Sequence, residues 1–120
     1  MGNLDANVAW LRKANDVEPN NLLVALELGA ALGRRGLHHE SLHILGNAAM
    51  ANPGDPRIHC NFGLSLLMAG EAERAVHAFE HTTALEPEVV VNHKLLAYAV
   101  EVAAGRKSVP TNEREIARNI

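Results

Sequence analysis

The chain has one cysteine, Cys60, and four aromatic residues: Trp10, Phe62, Phe79 and Tyr98. A single cysteine excludes an internal disulfide and any cysteine-based zinc site built by one copy, which suits a reducing compartment. Charge of one sign is not in excess: the formal net charge is −3, so there is no basic footprint for nucleic acid. No apolar run approaches the ~18 residues that a membrane span requires. The first twenty residues carry Asp5, Arg12, Lys13, Asp16 and Glu18 and do not read as a signal-peptide core. Ala6 stands where an N-myristoylation signal needs Ser or Thr. These absences lead to the expectation of a cytoplasmic protein with neither nucleic acid nor membrane as partner.

What the sequence does have is a period. Hydrophobic residues make up 48% of its 120 residues, enough for a core in one small domain or a short repeat array. Pro19, Pro53 and Pro87 are spaced at equal intervals, and on that spacing other columns align. Leu11, Leu45 and Phe79 share one; Gly29 pairs with Gly63, Leu32 with Leu66, and Gly36 with Gly70. Within a unit, Leu22, Ala25, Leu28 and Leu32 recur at helical spacing until Gly36 breaks the pattern. A second helix is predicted from about His39 to Ala51, stopped by Asn52-Pro53-Gly54-Asp55. The next unit repeats this, with Asp55 as cap and Pro56 at the first helical position. Gly29 and Gly63 fall inside helices, where glycine costs roughly 1 kcal/mol relative to alanine. That cost makes sense where two helix backbones approach closely.

The columns resemble the tetratricopeptide repeat, a helix–turn–helix unit of about 34 residues. Its conserved slots hold Ala25, Leu28, Gly29, Leu32, Ser41, Leu45 and Pro53 in residues 22–55. In residues 56–89 they hold His59, Phe62, Gly63, Leu66, Ala75, Phe79 and Pro87. The family's Trp slot is filled by Ala25, His59 and His93, and its Tyr slot only by aliphatic residues, which marks a degenerate member. The resemblance implies an all-α, right-handed α-solenoid of antiparallel helix pairs, with about two full repeats and flanking half-repeats. Residues 3–19 would be a leading half-repeat, 22–55 and 56–89 the repeats, and 90–104 a trailing helix. Residues 105–120 fit the period poorly and read as a polar capping helix or a tail.

One stretch spells a different chemistry. His39-Glu40-Ser41-Leu42-His43 is the H-E-x-x-H signature of zinc proteases, in which the glutamate serves as base. A catalytic zinc needs three protein ligands, and Ala49 stands where the extended motif has its third histidine. In the repeat register Ser41 and Leu45 face inward, leaving His39 and His43 on the exposed side. The expectation is therefore no metal, no cofactor and no enzyme, with a zinc hydrolase as the remote alternative. Adventitious metal binding is open to the pairs His39/His43 and His77/His81. His59 and His93 are expected to be partly buried in aromatic-sized holes.

In the family the first helix of each repeat lines a concave groove that holds a partner peptide. By column, the groove here would present Leu23, Leu26, Glu27, Ala30 and Arg34, then Arg57, Cys60, Asn61, Leu64, Leu67 and Met68, then Val91, Lys94, Leu95, Tyr98 and Glu101. Only Asn61 matches the family's carboxylate clamp, so the groove points to an apolar or amphipathic segment, with Tyr98 as the expected anchor. The reading is a bacterial-type adaptor or chaperone. Its alternative is a self-assembling scaffold that stacks through an uncovered edge made of Leu4, Val8 and Leu11.

Overall fold

The period becomes pairs of helices. The computed structural model describes residues 3–120, and side chains from residue 7 onward. Among the described residues there are seven helices: α1 (Asn3–Val17), α2 (Leu22–Arg34), α3 (His38–Ala51), α4 (Pro56–Met68), α5 (Ala72–Leu85), α6 (Val90–Ala103) and α7 (Glu113–Asn119). From α1 to α6 each helix packs on the next in the chain, and α2 also meets α4. None of the described helices is long and apolar enough to cross a membrane.

Local chemistry sets the boundaries. The Asn21 side chain accepts a hydrogen bond from the Val24 amide at 3.2 Å and opens α2. Asp55 accepts from the Arg57 amide at 2.9 Å and opens α4, with Pro56 at its first position. α2, α4 and α6 end in one and the same way. Gly36, Gly70 and Gly105 have φ of +77°, +81° and +77°, and the amide that follows each reaches back to the carbonyl of Leu32, Leu66 or Glu101. This is a glycine C-terminal cap, available because glycine has no Cβ to clash in the left-handed region.

α3 and α5 begin two residues after their glycines. A third such helix would begin at Lys107 and meet Pro110 at the first position whose N–H it needs. The chain instead stays irregular until Asn112, whose side chain accepts from the Glu115 amide at 2.9 Å and starts α7.

The core follows the columns. Leu28, Leu32, Leu45, Ile58, Leu66, Leu67 and Phe79 are fully buried. A Cβ placed on Gly29 would lie 2.4 Å from Leu45, and one on Gly63 2.7 Å from the Phe79 ring. Each mid-helix glycine therefore makes room for the large side chain of its own repeat's second helix. Ser41, in the small-residue column, donates its hydroxyl to the Gly29 carbonyl at 2.8 Å and lies 3.2 Å from the Ser65 hydroxyl, so these two buried hydroxyls are satisfied.

The N-terminal edge differs from expectation. Val8 and Leu11 are buried against Leu28, Ala31 and Leu32 of α2, so they form no uncovered stacking surface. Leu11 shares its column with Leu45 and Phe79 and, like them, faces inward. The Leu4 side chain lies outside the described residues. The large apolar side chains that α1 leaves exposed are Trp10, at 67%, and Val17.

Candidate functional site

α2, α4 and α6 bring most of the predicted groove residues to one side, but they are not equally open. Leu23, Arg57, Val91 and Lys94 are exposed, and Leu26, Cys60, Asn61 and Leu64 are half-buried. Burial pushes the Cys60 thiol pKa up, and nearby Glu86 adds to it. Leu67 and Tyr98, expected to be free anchors, are only 0% and 3% exposed.

The covering comes from the chain's own C-terminal segment. Ile116 of α7 is 3% exposed and belongs to the same cluster as Leu67, Leu95 and Tyr98, and Ile120 packs against it. Pro110 is fully buried. Lys107 places its ammonium 5.5 Å from the centre of the Tyr98 ring, a cation–π distance. Arg106 pairs with Glu101 at the end of α6. Glu115 accepts from the Thr111 amide and hydroxyl, both at 3.0 Å, and these bonds hold its carboxyl below the usual range. Burial, with Glu115 nearby, raises the pKa of the Tyr98 hydroxyl. Glu113 borders the groove beside Ala30, Asn61, Leu64 and Met68. A cleft of about 420 Å³ remains between residues 111–114, the end of α2 and Met68.

The H-E-x-x-H stretch lies on α3, with His39 and His43 exposed. Arg12 of α1 holds Glu40 with two hydrogen bonds of 2.7 Å, one to each oxygen, and keeps its carboxyl below the usual range. A carboxylate held in this way is a structural tie between α1 and α3. Among the described residues no group of three or more His, Cys, Asp or Glu side chains is placed to hold a metal ion.

Other histidines meet on the outer side. A trough of about 610 Å³ runs between α3 and α5 over the face of α4, lined by His43, His59, His77 and His81 together with Asn47 and Arg74. Its apolar surface comes from Leu42, Gly46, Ala49, Met50, Phe62, Leu66 and Ala78. His59 and His81 stand edge to face with ring centres 4.1 Å apart. Their Nε2–H groups donate to the carbonyls of Asn52 and Pro53 at 3.1 and 2.6 Å. Burial, and then the proximity of His81, lowers the His59 pKa. His93, the column mate of His59, donates to the Pro87 carbonyl at 2.6 Å but is exposed, contrary to expectation. A signal for the trough was present in the sequence: His43 and His77 share one repeat column, and Asn47 and His81 another.

No family model matches the sequence, nor does any curated protein. Solved structures do. MamA MSR-1 superposes with a TM-score of 0.75 at 21% identity, covering 98% of this chain and 67% of its own. A crystal structure of MamA gives 0.77 at 20% identity, over 88% of this chain and 61% of its own. MamA 41-end from Desulfovibrio magneticus RS-1 gives 0.77 at 20% identity, over 98% and 64%. The chain thus spans roughly two-thirds of the length of these proteins, and at such identity the likeness speaks to fold alone. Six helices stacked in chain order on a common period, with a seventh folded back on them, and superposable on MamA over nearly the whole chain, make this a tetratricopeptide-repeat fold.

Proposed function

We propose that the chain is a non-enzymatic protein-interaction module, an adaptor or chaperone-like protein of the cytoplasm, whose concave face receives an amphipathic helical segment of a partner. The tetratricopeptide fold is typically a non-catalytic scaffold. The observation that carries the reading is the position of α7: a short amphipathic helix already lies on that face and inserts Ile116 and Ile120. Helix-in-groove recognition uses apolar anchors of this kind. Leu26 and Leu64 supply further half-buried apolar surface, while Lys94 and Arg57 offer charge at the rim. A partner helix would take the place of α7, so binding is a competition between two segments for one surface.

The test supplies that segment in trans. A fluorescent peptide of residues 108–120 is titrated against the wild-type chain and against Ile116→Asp/Ile120→Asp. The double variant, whose own α7 cannot dock, is expected to bind the peptide at least tenfold more tightly than wild type. Adding Leu64→Asp should abolish that binding. Failure of the double variant to bind, with its other helices intact by circular dichroism, would overturn the reading.

A further inference from the structure

The outer trough is built differently from the concave face, and none of the described residues covers it. Its two banks are single helical faces: His43 and Asn47 on α3 are one turn apart, and Arg74, His77 and His81 on α5 follow at helical spacing. Its floor includes Phe62 and Leu66 of α4. Gly46 contributes to the width: the nearest atoms to a Cβ built there are those of the Phe62 ring, at 3.5 Å. The Phe62 ring is thus half-open between the banks, with no side chain from Gly46 over it, while Leu66 lies buried beneath.

The charge is one-sided. Among the described residues no Asp or Glu lines the trough, although acids outnumber bases in the whole chain, 14 to 11. The Arg74 guanidinium lies 5.8 Å from the centre of the Phe62 ring, which positions a cation over the apolar floor. Glu71 pairs with Arg74 at 2.9 Å and Glu80 with His77 at 3.3 Å, but neither carboxylate is part of the lining. A ligand that complements this surface carries an apolar ridge with anionic groups alongside. The space falls within the ~300–1,000 Å³ typical of ligand sites, yet a small molecule would be poorly enclosed, because the trough is open along its length. A helix laid between two helices fits that shape.

We propose that the trough is a second docking site, for an acidic amphipathic helix of a partner protein. The partner's apolar side chains lie over Phe62 and Met50, and its carboxylates meet Arg74, His77 and His43. The site is independent of the concave face, and a single copy can engage two partner segments on opposite sides.

The probe is a labelled, designed helical peptide with leucines at i, i+3, i+4 and i+7 flanked by glutamates. Its control is the same peptide with lysines for glutamates. The full chain is expected to bind the glutamate peptide at least tenfold more tightly than the lysine peptide, and to lose at least tenfold on Arg74→Glu/His77→Glu. Both substituted side chains are well exposed, so the variant should melt like wild type. Amide resonances of Gly46 and Phe62 should shift on titration, while those of α7 should not. Ile116→Asp/Ile120→Asp should leave this binding unchanged, which separates it from the concave face. Equal binding of the two peptides, indifference to the Arg74/His77 exchange, or shifts confined to α7 would each overturn the proposal.

Discussion

The concave face and the outer trough are made by the same alternation of helices, yet one is closed by its own chain and the other is open. On the concave face Tyr98 and Leu67 are buried in one cluster with Ile116, and what remains open is a rim of Leu23, Val91, Arg57 and Lys94. In the trough Phe62 is half-buried and Arg74 stands beside its ring with no described segment over them. The difference is one of partners. Apolar surface between α2, α4 and α6 is met by apolar residues in the C-terminal segment, whereas the trough's basic banks would be met only by acids. The α7 sequence does contain Glu113 and Glu115, but Glu115 is held by Thr111. Repeat packing fixes where grooves form, and the chemistry of each groove decides what can fill it.

The most damaging change removes the frame beneath both faces. Gly63→Leu would drive a side chain into the Phe79 ring, which is fully buried and cannot swing aside. The expected loss is about 3 kcal/mol, the upper part of the overpacking range, and a fall in melting temperature of roughly 10 °C. Gly29→Leu should cost a similar amount, because a Cβ there would lie 2.4 Å from Leu45, which is also fully buried. Equal melting of Gly63→Leu and wild type, in a thermal scan, would show that α4 and α5 do not meet as described.

A smaller effect distinguishes the faces. Ile116→Asp forfeits about 2 kcal/mol of side-chain burial and releases α7 alone. Hydrogen exchange should accelerate across residues 113–119 and at the groove residues they cover. The amides of α3 and α5 along the trough should keep their protection. Uniform loss of protection would mean that α7 holds the whole array together rather than one side of it.

The smallest effect belongs to the trough alone. His59 has its pKa lowered in the folded chain by burial and by His81, against a weaker opposing pull from the carbonyls of Asn52 and Pro53. The unfolded chain therefore takes up the proton first as the pH falls. This contribution to stability is fully present above the ordinary histidine value of about 6.5 and is lost as the pH falls from there through the folded value. Urea midpoints between pH 7.5 and 5 should decline, and His59→Gln should flatten that decline. An unchanged slope would locate the pH dependence elsewhere. Glu40 and Glu115, whose pKa values are lowered, lose their contributions only at more acid pH, where carboxylates protonate.

Much of the fold was readable because its signals are local and repeated. Asp55 with Pro56, Gly36 and Gly70, and the columns of Leu45 with Phe79 each act within a few residues of the element they define. The glycines at 29 and 63 even disclosed a contact across a helix pair. The position of α7 was not legible, since Ile116 joins the cluster of Leu67 and Tyr98 through tertiary packing that no periodicity encodes. Assigning Val8 and Leu11 to an open edge ignored their column. Leu11 stands where Leu45 and Phe79 stand, and that slot faces the core, which for Leu11 is built with Leu28, Ala31 and Leu32 of α2. The trough was missed because histidines were paired along one helix, His39 with His43 and His77 with His81. Its banks pair across helices, one repeat apart.

Packing between neighbours in the chain also bears on how the molecule assembles. Contacts that join adjacent helices close short loops, and short loops carry little entropic penalty and form quickly. Such an array has no obligatory starting point and can grow in either direction from any helix pair. α7 is the exception. Ile116 must join a cluster whose Leu67 lies nearly fifty residues back in the chain, on a surface built by residues of α4, α5 and α6. Its docking is therefore expected to be the final event of folding, and its release the first of unfolding.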